Sequence, residues 1–206
     1  MAEERTTTQR DIRRVHELLA YLSRAREVMW ALVIAFLATS ILRVVFFQAM
    51  SLSGPAMSPA IGKGDRFMIY RAAYVARRPA RGHIVSYHIS ASEAADMQSR
   101  VGRVVALGGE VVSMRDGALY VNGNRVKEDY VEDRARYDLP LTVVPRHSVF
   151  ILADSRNKTT GDSHAFGPVP AADVDGRVWF CFAPVRRIGV FREPDYGPGL
   201  PSKPSA

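Results

Sequence analysis

Ser53-Gly54-Pro55-Ala56-Met57-Ser58-Pro59-Ala60-Ile61 is the stretch on which the reading of this chain turns. It closes an apolar N-terminal region and opens one patterned as strands. On its upstream side, Val44 to Ser53 is rich in β-branched and aromatic residues. On its downstream side, Gly62-Lys63-Gly64-Asp65 reads as a turn, and Arg66 to Tyr70 alternates like a half-buried strand. Gly82 to Ile89 predicts another strand. Val111 to Met114 and Ala118 to Val121, joined by Arg115-Asp116-Gly117, predict a hairpin, and Asn122-Gly123-Asn124 turns the chain again. The charged segment Val126 to Leu141 reads as a surface excursion. Val143-Val144 and Ser148 to Ala153 return to the core, and Gly176 to Ala183 reads as the last strand. The Pro-rich tail from Pro194 reads as disordered. Many short strands with turn signals point to a mainly β fold, coiled and mostly antiparallel.

Upstream of this region, residues 1–27 are polar and helix-like, with six arginines against five acids. They predict a cytoplasmic lead-in. Residues 28–42 carry no charge, and Arg43 then precedes Val44-Val45-Phe46-Phe47. Fifteen uncharged residues fall short of the roughly 20 that cross a bilayer. Arg43 can snorkel, however, and Trp30 sits where an interfacial anchor belongs, so the expectation is one transmembrane helix over residues 28–47. The competing reading is a cleaved signal peptide, with Ala38-Thr39-Ser40 imitating a cleavage site. The long, acid-containing lead is unlike a short basic n-region and argues against it.

The net charge of +7 comes from arginines scattered among acids. That distribution favours attraction to anionic membrane lipid over nucleic acid, which is not expected as a partner. One cysteine, Cys181, excludes an internal disulfide and a multi-cysteine metal centre. Five scattered histidines argue against a metal site, and no cofactor is expected.

Four segments in order carry a resemblance: Ala56-Met57-Ser58-Pro59; Gly82-His83-Ile84-Val85; Gly102-Arg103-Val104-Val105-Ala106-Leu107-Gly108-Gly109-Glu110; and Asp154-Ser155-Arg156 with Asp162-Ser163. Together they resemble the boxes of type I signal peptidase, over about residues 43 to 182. The resemblance implies the β catalytic fold of that family over 48–193, with a small β accessory region around 111–142. It also implies a place at the cell membrane, with the N-terminus cytoplasmic and the main domain on the outer face.

Its catalytic serine falls on Ala56 and its general-base lysine on Gly102. A methyl group has no lone pair to attack with, and a hydrogen offers no base. The chain has only four lysines, Lys63, Lys127, Lys158 and Lys203, and none matches the vacant position. Arg103 stays protonated and cannot replace it. By the resemblance, Ser53, Gly54, Pro55, Met57 and Pro59 line the substrate groove, with Gly54 lacking an oxyanion hydroxyl. Asp154, Arg156 and Asp162 match residues that brace the dyad region. The expectation is therefore an inactive homologue, anchored in the membrane, that binds signal peptides or exported segments such as pilin-like subunits. Two alternatives stand beside it. One is an active signal peptidase, either with displaced residues such as Ser53 or Ser58 or with Ala56 and Gly102 engineered from serine and lysine. The other is a scaffold for an active peptidase or a surface-assembly machinery.

Overall fold

The fold was obtained as a computed structural model, which describes residues 21, 24–41, 43, 45–89, 99–158 and 161–196. It divides into two units, Met1–Val45 and Phe46–Ala206.

In the first unit, residues 24–41 form helix α1. Its apolar side chains point outward on every side, with Trp30, Leu32, Ile34, Phe36 and Ile41 all more than half exposed. Among the described residues no helix is long and apolar enough to cross a membrane. The expected helix also ends sooner than residue 47, because Phe47 already belongs to the first strand.

The second unit is built on two antiparallel sheets. The larger runs in the order β1 (Phe47–Ser51), β2 (Arg66–Tyr70), β11 (Val174–Ala183), β3 (Ile84–Tyr87), β4 (Arg100–Leu107), β9 (Ser148–Leu152) and β10 (Val169–Pro170), with β12 (Gly189–Val190) also paired to β11. The smaller runs β7 (Asn124–Arg125), β6 (Ala118–Val121), β5 (Val111–Arg115), β8 (Leu139–Val143). Register shifts between Val174 and Gly176, Val178 and Phe180, and Cys181 and Ala183 bend β11. Another between Val104 and Ala106 bends β4 against β9. Each such irregularity adds local twist, and together they coil the sheet.

Sequence pattern and structure agree closely where one face of a strand is wet. Arg66 to Tyr70 alternates exposed and buried, as its residues dictate. β4 is different. It is buried along nearly its whole length, because Val105 and Ala106 pack into the core under the smaller sheet while Val104 and Leu107 pack with Val85, Ile151 and Val169. The Asp-Gly turn joins β5 and β6 with Asp116 at φ 51° and Gly117 at φ 70°, both in the left-handed region a two-residue hairpin demands.

The stretch 53–61 is a compact turn: Ser58 N donates to Pro55 O at 3.0 Å and Ile61 N to Met57 O at 2.8 Å. Two expectations need correction. The supposed surface excursion buries Val126, Ala135 and Leu139 in the core under the smaller sheet. The tail does not leave the domain at Pro194, because Tyr196 is only 5% exposed and packs against Tyr130 at a ring distance of 6.2 Å. Residues 197–206 lie outside the described residues.

Candidate functional site

The turn at 53–61 sits on the last of the four sequence boxes. The Ala56 carbonyl accepts from Ser155 N at 3.0 Å, joining two segments about a hundred positions apart in the chain. Arg187 holds the other end. Its Nη2 donates to the Pro59 carbonyl, and its Nη1 lies 2.9 Å from Asp65 Oδ2. That same carboxylate oxygen accepts from Gly62 N at 2.7 Å. Ser53, Pro55 and Pro59 are exposed, whereas Gly54, Ala56 and Ser58 are half-buried. Met57 is fully buried with Ile61, Phe67, Ile84 and Val101. Its side chain is a core element that fixes the turn and does not line an open groove.

Gly102 lies in β4, opposite Val85 of β3. The neighbouring register pairs Arg103 with Leu152, so β4 and β9 bring position 102 to the segment that also receives Ala56. The space beside Gly102 is filled. A Cβ built there would lie 2.5 Å from Ile151 Cγ2, 3.4 Å from the Leu152 carbonyl and 3.4 Å from Tyr87 Cε1. Tyr87 is itself fixed, its hydroxyl donating to Gly161 O at 2.9 Å.

Asp154, Arg156 and Asp162 do not pair with one another, and each has its own partner. Asp154 receives Arg103 Nε at 2.8 Å and Nη2 at 2.6 Å, a buried bidentate pair. Burial pushes the Asp154 carboxyl up, and the two Arg103 hydrogen bonds pull against it. Arg103 also donates to Gly82 O at 3.1 Å, and its guanidinium lies 4.3 Å from the Tyr130 ring centre. Arg156 donates to Ala153 O at 3.0 Å and forms a fork with the Glu128 carboxylate. Asp162 caps the short helix α2 (Ser163–Phe166) through His164 N at 3.1 Å, and also accepts from Ala153 N at 3.0 Å. Burial pushes its pKa up.

The surroundings also draw on Glu128, Tyr130, Tyr87, Ile151 and Arg187, none of which stands in a recognisable box. In the charged stretch 126–141 the aromatics Tyr130 and Tyr137 were the signal that the segment is anchored, and both pack against the core.

Among the described residues, Lys63, Lys127 and Lys158 are exposed, whereas a general-base lysine works from an apolar, buried setting. Lys127 is also paired with Asp129 at 2.7 Å. His88 has carboxylates at both ring nitrogens, Asp175 at 3.0 Å and Asp173 at 3.7 Å. His83 Nδ1 receives the Ala80 N–H at 3.3 Å and meets the Tyr74 hydroxyl at 2.9 Å, while its Nε2 faces Glu193 at 3.2 Å. Ser163 Oγ accepts from Ile151 N at 2.9 Å and serves the backbone. Among the described residues no group of three His, Cys, Asp or Glu is arranged to hold a metal ion.

Comparison with known proteins gives a consistent answer. The family described as signal peptidase, peptidase S26 matches residues 25–183. The chain is 31% identical over 166 residues to the probable signal peptidase I-1 of Synechocystis, covering 79% of this chain and 82% of that one. It is 30% identical to the signal peptidase I of Leptolyngbya laminosa, covering 74% and 77%. Against the signal peptidase I of Bacillus licheniformis it is 26% identical, covering 77% and 88%.

Proposed function

Because the chain belongs to the signal peptidase, peptidase S26 family, we propose that it binds the cleavage-region segments of exported proteins at a membrane and does not cut them. The observation that carries this reading is Gly102. Beside it, Ile151 Cγ2 stands 2.5 Å from the point where any side chain would begin. At position 56 a methyl group stands where the family's nucleophile is expected. Binding does not need either residue. An extended segment can add to a strand edge through main-chain hydrogen bonds, and among the described residues β1 is paired on one side only.

A second reading, cleavage of signal peptides, is favoured by kinship: the relatives named above are signal peptidases, two of them at 30% identity or more. It would require a nucleophile other than residue 56. Purified full-length chain with a signal-peptide substrate separates the two readings. The expected result is saturable cross-linking of the substrate without cleavage, because loss of a whole dyad removes roughly 10⁴-fold or more of rate. Cleavage that disappears in Ser53→Ala or Ser58→Ala establishes the second reading.

The membrane attachment proposed here rests on the exposed apolar surface of α1. The full-length chain is expected to stay in the membrane fraction through high salt and carbonate and to leave with detergent. Salt release would mean electrostatic attachment instead.

A further inference from the structure

A cavity of about 500 Å³ opens where separate turns of the larger sheet meet. It is bounded by Arg78 and Pro79, by the β4–β5 turn at 107–109, and by residues 146–149 entering β9. It adjoins β10, which stands at the opposite end of the strand order from β1 and the turn at 53–61. Arg78, Arg146 and His147 line it, Ser148 adds a hydroxyl, and no carboxylate is present in the lining.

The acids closest along the chain have partners of their own. Glu110 lies 2.5 Å from Arg81 Nη2 and accepts from Leu107 N at 2.6 Å. Asp173 lies 3.7 Å from His88. By contrast, the cavity beside Glu128, Asp129 and Glu132 carries its own carboxylates, as does the one beside Glu193 and Asp195. Positive charge with no compensating acid, set in a concave wall, concentrates the field that draws an anion.

The walls are also fixed. Gly109 N donates to Val144 O at 2.8 Å, Ser148 N to Pro145 O at 3.1 Å, and Ala171 N to His147 O at 2.8 Å. Gly108 lets the two turns touch, since a Cβ there would lie 3.0 Å from Pro145 O and 3.1 Å from His147 N. A ligand therefore meets a backbone frame that is already formed, and only the exposed Arg78 and Arg146 side chains have to order on it.

We propose that this cavity binds a phosphoryl group, carried either by a lipid headgroup or by a soluble phosphate compound. Guanidinium forks match phosphate oxygens in charge and geometry, and Arg78 and Arg146 both line this cavity.

The test begins with full-length chain in neutral detergent, titrated with inorganic phosphate at low ionic strength. Saturable binding is expected, weakened about tenfold or more in Arg78→Ala and in Arg146→Ala. Arg186→Ala removes the same charge from an exposed position outside the cavity and is expected to stay within about twofold of the unaltered chain. Nanodiscs then identify the source. Hydrogen-exchange protection of residues 107–109 and 146–149 with phosphatidylglycerol, absent with phosphatidylcholine alone, assigns a lipid headgroup. Phosphate binding without that protection assigns a soluble compound. Absence of saturable phosphate binding, or an equal loss in Arg186→Ala, overturns the proposal.

Discussion

The Cγ2 methyl of Ile151 stands 2.5 Å from the point a Cβ on Gly102 would occupy. Carbon atoms attract at about 3.5–4.0 Å and repel steeply inside that range. Any side chain at 102 therefore forces Ile151 to turn or the strands to part. Ile151 is fully buried, and its own N–H is tied to Ser163 Oγ, so it does not yield freely.

Restoring serine and lysine alone is accordingly expected to fail. The double variant Ala56→Ser, Gly102→Lys should show no signal-peptide cleavage and lose about 1–3 kcal/mol of stability through overpacking. Adding Ile151→Leu removes the methyl branch at Cβ at nearly constant volume. That triple variant should recover much of the stability and gain measurable cleavage. An active double variant with an unchanged unfolding midpoint would show that position 102 is roomier than its neighbours indicate.

The Arg103–Asp154 pair should behave as a buried ion pair. Arg103→Met leaves a buried carboxylate without its partner and should cost about 3–5 kcal/mol, while Arg103→Met with Asp154→Leu should recover most of that loss. Denaturant midpoints of the two single variants and the double variant measure the coupling. Strictly additive losses would count against it.

His83 makes stability depend on pH. Burial, chiefly, and then the charge of Arg177 push its pKa below the ordinary value, against the charge and hydrogen bond of Glu193. The unfolded chain takes up this proton near pH 6.5, and the folded chain only at lower pH. The histidine's contribution is thus complete above about 6.5 and is lost as pH falls through the folded pKa. Unfolding midpoints measured downward from pH 7 should fall, and His83→Gln should flatten that slope. A slope unchanged in the variant would assign the effect to other groups.

Tyr196 closes the core from beyond the matched region 25–183. Tyr196→Ala should lower stability by about 3 kcal/mol, the cost of deleting a buried aromatic ring, read as a drop in the thermal midpoint. A change within about 0.5 kcal/mol, typical of a surface position, would mean the tail is not part of the core.

The strands were legible because their chemistry is local. Asp116-Gly117 announces a hairpin turn by conformational preference alone, and Phe67 and Ile69 announce a buried face by alternation. The surroundings of the candidate site were not legible in that way. Position 102 could be recognised as glycine where lysine was expected, but nothing local says that Ile151 has taken the space. Likewise Glu128 reads as one acid in a charged stretch until the fold brings Arg156 to it. The shape of the turn at 53–61 was hidden for a related reason. Its shape is set by Ser155, Asp65 and Arg187, which sequence distance hides.

The position of β11 has a consequence for how the protein is made. This strand lies between β2 and β3, contacting Phe67 on one side and Val85 on the other, yet it follows both of them in the chain by a long stretch. Until Val174–Ala183 emerges, β2 and β3 each wait with an open edge, and the middle of the larger sheet cannot close. Pairing across such sequence separations is slow, and unpaired edges invite wrong partners. The larger sheet therefore closes only after β11 has been made, so an escort that shields β2 and β3 would matter more to its yield than to its final stability.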